Sequence, residues 1–99
     1  MDNSIVLKLV KVTYITDDIG QKIAQETSRT IYGQRGAITR AEWATAGQQG
    51  LNPELEVKVF TYDYDGESIV EIGDQRYGVY RTYRRDDTTE LYLERKAGI

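Results

Sequence analysis

The sequence contains no cysteine, no histidine, one proline and one phenylalanine, and each shortage closes a route. Without cysteine neither a disulfide nor a thiolate metal site can hold the fold, and nothing points to an oxidising compartment. Without histidine as well, the side chains that titrate nearest neutrality are missing, so the usual catalytic triads cannot be assembled. The one proline, Pro53, leaves no proline-rich linker, and no repeat or low-complexity tract divides the chain. No apolar run approaches the roughly 20 residues that cross a bilayer. Residues 1–4 are polar and have no basic stretch before an apolar run, so neither a secretion signal nor membrane insertion is expected.

What is present describes one domain over residues 1–99. Apolar residues make up 39% and charged ones 29%, so the core is modest and the eight tyrosines must supply much of the buried area. A tyrosine buries its ring and keeps a wet hydroxyl, which suits a thin β-structure or a surface later covered by another subunit. The net charge of −3 is uneven: residues 1–50 carry six basic and five acidic side chains, residues 51–99 seven and eleven. An acidic domain is a poor tight binder of duplex DNA, because that binding rests on clustered Lys and Arg displacing counterions. It could still line a path along which DNA slides.

Strand signals dominate. Ile5 to Ile15 is rich in Val, Ile, Leu, Thr and Tyr, with Ile5, Leu7 and Leu9 on one face and Val6, Val10 and Val12 on the other, as in a strand covered on both sides over part of its length. Asp17, Asp18 and Gly20 mark a turn, and Gln21 to Tyr32 reads as a more polar strand pairing back. Leu55, Val57 and Val59 alternate with Glu56 and Lys58, the period of two of a half-buried strand. Tyr64-Asp65-Gly66-Glu67 then predicts a type I′ hairpin into a return strand over residues 68–72. Gly73-Asp74 and Arg85-Asp86-Asp87 predict further turns around a strand over residues 77–83, and Thr89, Leu91 and Leu93 alternate in the last strand. Between strands two and three, Thr39-Arg40-Ala41-Glu42 has capping-box spacing, Ile38 and Trp43 have staple spacing, and Gly47 is placed to end the helix. So short a helix must dock, and Trp43 is the expected anchor. The expected fold is all-β: a small closed β-barrel of about six antiparallel strands in a meander, with one short α-helix between strands 2 and 3.

Few residues suggest chemistry. Asp17/Asp18, Asp63/Asp65 with Glu67, and Asp86/Asp87 all fall at turns, where aspartate serves by bonding its own backbone. Asp63-Tyr64-Asp65-Gly66 lacks the acceptors that would continue a calcium loop, and no metal or cofactor is expected. Arg81, Arg84 and Arg85 with Tyr80 and Tyr83 form the one basic and aromatic cluster, a pattern that single-strand binders use for stacking and phosphate contact. Alternation turns Arg84 and Arg85 to opposite faces, which breaks up any single patch. The uncharged Gln48-Gln49-Gly50-Leu51-Asn52-Pro53 stretch joins strands that could be linked more briefly, and long connections in small domains tend to carry function.

Ala46-Gly47-Gln48-Gln49-Gly50-Leu51-Asn52-Pro53-Glu54, preceded by Thr39-Arg40-Ala41-Glu42-Trp43, resembles the AGQ-x-GL-x-PE stretch of head-closure proteins of long-tailed bacteriophages, also described as head-completion, stopper or head–tail joining proteins. Tyr64-Asp65-Gly66-Glu67, Tyr80-Arg81-Thr82-Tyr83 and Glu90-Leu91-Tyr92-Leu93-Glu94-Arg95-Lys96-Ala97-Gly98 are similar to that family's YNGE, YRTY and ELYLE-x-K-x-G segments, in the same order. The departures are Trp43, where Phe or Tyr is expected, and Asp65 in place of Asn. The resemblance implies a virion structural protein and not an enzyme: a barrel that is monomeric or weakly oligomeric alone and joins a dodecameric ring below the portal and adaptor. That ring retains packaged double-stranded DNA without reading its sequence and offers a docking surface to tail-terminator or tail proteins. It also implies assembly in the host cytoplasm and residence in the virion. Trp43, Gln48, Gln49, Leu51, Asn52 and Pro53, within residues 39–54, are then the candidate subunit or channel interface, and Arg81, Arg84 and Arg85 the candidate DNA-proximal or interface residues. A tail-terminator or adaptor subunit is the neighbouring alternative, and a small single-stranded nucleic-acid-binding barrel the alternative of another class.

Overall fold

The computed structural model describes residues 3–95. In it β1 (Ser4–Thr16), β2 (Lys22–Gly36), α1 (Arg40–Gln48), β3 (Pro53–Phe60), β4 (Ile69–Ile72), β5 (Gln75–Arg85) and β6 (Thr88–Arg95) follow in chain order. All strand pairs are antiparallel, and the strands close as a barrel in the order β1-β2-β3-β6-β5-β4, with β4 returning to β1. This is the all-β barrel with a helix between strands 2 and 3 that the residue pattern predicts. Lys96, Ala97 and Gly98 of the last family-like segment lie outside the described residues.

Alternation in the strands fills the barrel. Leu7 and Leu9 of β1, Ile31 of β2, Leu55, Val57 and Val59 of β3, Val70 of β4, and Leu91 and Leu93 of β6 form one buried cluster. The interior of a barrel this small holds side chains and no passage. Where β2 meets β3 the walls are so close that a Cβ at Gly33 would stand 2.8 Å from the Lys58 carbonyl and 3.1 Å from Leu7 and Val57, so glycine is required there by contact.

The strands are not a simple meander. β3 and β4 do not pair; two strands separate them whichever way the ring is followed. The expected two-residue hairpin at Asp65-Gly66 is therefore replaced by a crossover, residues 61–68, from one side of the barrel to the other. It begins with a 3-10 turn, Thr61–Asp63. Gly66 has φ +79°, whereas Asp86 is the one described non-glycine residue with positive φ, so Asp65 lacks the conformation a type I′ turn needs. What fixes the crossover is Glu67, which is buried. Its carboxylate accepts from the Asp65 amide at 2.7 Å and pairs with Arg29 at 2.8 Å, while the Tyr64 hydroxyl donates to the Glu67 carbonyl at 2.7 Å. Three carboxylates that read as a solvated turn thus include one buried keystone.

β1 and β2 outrun the barrel. They pair from Ser4↔Gln34 to Thr16↔Lys22, yet β4 covers β1 only at Lys8–Val10 and β3 covers β2 only at Gly33–Gly36. The remainder, Lys11 to Thr16 against Lys22 to Thr27, projects as a two-stranded arm of roughly 20 Å. It accounts for extents of 51 × 30 × 27 Å and a radius of gyration of 14.9 Å, against about 13 Å for a compact chain of this length. The tip is ordered by Asp17, whose carboxylate accepts from the amides of Ile19 at 3.0 Å and Gln21 at 2.8 Å.

Candidate functional site

Two features stand off the barrel wall: the helix with its following loop, and the arm. The helix starts as its sequence predicts, with Thr39 Oγ1 accepting from the Glu42 amide at 3.1 Å. The reciprocal half of the capping box is absent. Instead the Glu42 carboxylate accepts from the Tyr80 hydroxyl at 3.0 Å and pairs with Arg81, tying the helix to β5. Glu42 and Ala46 lie one turn apart on the docked face, and Ala46 is the helix residue that is buried. Trp43 is the next residue round the helix, and it is 61% exposed. The expected anchoring role of Trp43 therefore falls to Ala46 and Glu42, because a nine-residue helix has one face to bury and Trp43 is not on it.

The helix end is also displaced. Gln49 is the C-cap, Gly50 N donates to Gly47 O and Leu51 N to Ala46 O, each at 3.0 Å, and Gly50 takes φ +79°. That pair of bonds is a Schellman motif with Gly50, not Gly47, as its left-handed residue. Gln48 therefore belongs to the helix and Pro53 to β3, and the long loop shrinks to residues 49–52. Of the candidate interface residues, Trp43, Gln48, Gln49 and Asn52 are exposed, while Leu51 and Pro53 are partly covered. Leu51 faces a cleft of about 380 Å³ between helix and wall, bordered also by Glu42, Gln49, Tyr80, Arg81 and Tyr92. Burial, and then the bond to Glu42, push the Tyr80 hydroxyl far above its ordinary range, so it remains a donor at any physiological pH.

The three arginines do not form a patch. Arg81 lies over the Tyr92 ring, 4.2 Å from its centroid, as well as against Glu42. Arg85 lies 5.0 Å over Tyr83 and 3.6 Å from Glu90. Tyr80 meets Tyr92 edge-on at 6.3 Å. Arg84 is exposed and has no ion-pair partner among the described residues. Two of the charges are thus spent on carboxylates, and Tyr80 is not free to stack on a base.

The arm is the element that the residue pattern missed. Ile15 and Ile23 are directly opposite each other, each 44% exposed, and Ile19 in the turn is 77% exposed. Its root is braced from both sides. Arg76 grips Glu26 of β2 through two bonds, at 2.8 and 3.1 Å, and Glu71 of β4 at 3.0 Å. Arg29 of β2 binds the buried Glu67 and the Asp63 carbonyl, and Lys11 of β1 lies 3.6 Å from Asp65. The signal available in the sequence was length: strand-like character runs unbroken for longer in the first two strands than the later, shorter strands can cover. Among the described residues no three acidic side chains converge as a metal site would require, and no helix is long and apolar enough to cross a membrane. Compared with protein-family models, with curated proteins and with solved structures, the chain finds no match.

Proposed function

We propose that this protein is a structural subunit of the head–tail connector of a long-tailed bacteriophage, forming a ring below the portal and adaptor that closes the DNA-filled head and receives the tail. The observation that carries the reading is a barrel filled by its own side chains from which two ordered features project: the arm, with three exposed isoleucines, and a capped helix bearing an exposed tryptophan. Such features suit contacts between subunits better than turnover. The family-like segments add to it. Since the interior of one barrel is full, a channel for DNA would have to lie between copies, and the acidic balance of the chain would let duplex DNA pass without sticking.

The protein then acts by assembly and not by catalysis. Deleting its gene should give lysates of packaged but leaking, tailless heads under the electron microscope; normal infectious particles would end the idea. The same images separate closure from a tail terminator, which would cap isolated tails. Single-strand binding through Tyr80, Tyr83 and the arginines is disfavoured by the pairing of Arg81 with Glu42 and Arg85 with Glu90. Low-salt titration with oligonucleotides, read by tyrosine fluorescence, would revive it if emission were quenched in a salt-sensitive way.

A further inference from the structure

The arm tip has a complement elsewhere on the same chain. Val6 pairs with Tyr32, and continuing the Gly33↔Val59 register sets Tyr32 beside Phe60. Their chain neighbours Leu7, Ile31 and Val59 are buried in the core, so alternation turns Val6, Tyr32 and Phe60 outward as a row across three strands. They are 53%, 72% and 59% exposed. Beside the row lies a shallow hollow of about 370 Å³ bordered by Tyr32, Gln34, Lys58, Phe60 and Thr88. Lys8 and Lys58, each two residues from the row on its outward face, flank it on either side, whereas the arm tip carries Asp17 and Asp18.

We infer that the isoleucine tip of the arm seats on the Val6–Tyr32–Phe60 row of a second copy, with Asp17 and Asp18 against Lys8 and Lys58. The arm cannot reach its own row. Ile23 and Tyr32 are nine residues apart on one strand, about 30 Å, and the arm's direction is fixed by Arg76 and Arg29 at its root. The contact is therefore head-to-tail, using a different patch on each partner, so every added copy presents a fresh tip and a fresh row. Three isoleucines against three side chains bury roughly 600–800 Å² in total, below the about 1,200 Å² of a standard stable interface. A pair is therefore weak, and closure of the chain of contacts strengthens it. The inference rests on the ring reading only for that closure.

The absence of cysteine makes the test clean. In the full chain, Ile19→Cys with Tyr32→Cys is oxidised at the highest soluble concentration and run without reductant. The expected result is a ladder of dimer, trimer and higher species, absent from either single variant and from the wild type. A folded double variant, by circular dichroism, that yields no ladder overturns the inference, as does an equal dimer from Ile19→Cys alone, which would mean tip-to-tip pairing. Charge exchange is the second arm: Asp18→Lys or Lys58→Glu should each cut ladder yield several-fold, and combining them should restore it. Failure of the double exchange to restore yield counts against the assigned register. The ladder does not depend on the gene-deletion phenotype, so either can fail while the other stands.

Discussion

The same two strands behave as two materials. Between Ser4 and Val10 β1 is a barrel stave, with Leu7, Leu9 and Val10 each at most 2% exposed. Beyond Lys11 it becomes a ribbon with both faces in water, and its partner residues in β2 are exposed from Lys22 to Thr30. The chemistry changes with it: aliphatic side chains hold the stave, while side chain–backbone bonds and three ion pairs hold the ribbon. An isolated two-stranded ribbon is marginal in water, so the arm keeps its shape through its braces and its turn, and its stability and the barrel's should be separable by mutation.

The largest effect is expected in the barrel. Leu91→Ala removes a side chain with no exposure, and should cost about 2–5 kcal/mol. Chemical denaturation should show one transition in which the arm melts with the barrel, since the ribbon has no other support. Persistence of native arm signals after barrel unfolding would show that the two are independent folding units.

Next comes the root of the arm. Arg29→Ala leaves Glu67 buried beside the crossover without its cation, a loss of about 1–3 kcal/mol. Because the crossover spans the barrel, amide exchange should quicken in residues 61–68 as well as in the arm. Smaller again is Gly50→Ala, which forces a Cβ into the left-handed C′ position and should cost about 1 kcal/mol. It should loosen the helix end, with barrel amides unchanged. Ile19→Ser at the tip should move stability by no more than about 0.5 kcal/mol, as for an exposed surface site.

The sequence made the staves legible and the ribbon's purpose illegible, for one reason. Alternation of Leu55, Val57, Val59 and of Thr89, Leu91, Leu93 reports a buried face directly, and those positions are buried as expected. Alternation does not report which strand lies alongside, so β3 and β4 read as a hairpin although the crossover carries the chain to the far side of the barrel. Asp65-Gly66 supplied the turn chemistry, and Glu67, directly after an exposed glycine, gave no hint of burial. Ion pairs such as Glu26 with Arg76, fifty residues apart, belong to topology and leave no local pattern. Around the candidate interface the helix start was readable from Thr39 and Glu42. Its docked face was not, because a tryptophan outranks an alanine in any composition-based choice of anchor. The expectation that the eight tyrosines would supply much of the buried area does not hold. The buried cluster is built from Leu, Ile and Val, Tyr64 and Tyr77 only pack against it partly covered, and Tyr14, Tyr32, Tyr62 and Tyr83 are exposed, because the interior of so small a barrel is filled by aliphatic side chains.

The smallest effect is a difference of sign between two carboxylates. On the barrel wall, burial and the neighbouring Glu90 raise the pKa of Glu56 above its ordinary 4.5. In the arm, the hydrogen bonds from Arg76 hold Glu26 below that value. A raised carboxyl pKa means the folded state binds the proton more tightly, so the wall is favoured at low pH and loses that contribution as pH rises from 4.5 through the raised value. A depressed one means the opposite: the Arg76–Glu26 brace is complete above 4.5 and fails as pH falls through the depressed value. Lowering pH from neutrality should thus first ease the wall and only later release the arm, so a thermal melt and the NMR signals of Ile19 and Ile23 should respond in different pH windows. Glu56→Gln should raise the neutral-pH melting temperature slightly and remove the first response, leaving the second intact. Glu26→Gln should remove the second and leave the first. If either substitution altered both pH responses, the arm's titration would be coupled to the wall's, and the division between stave and ribbon would be wrong.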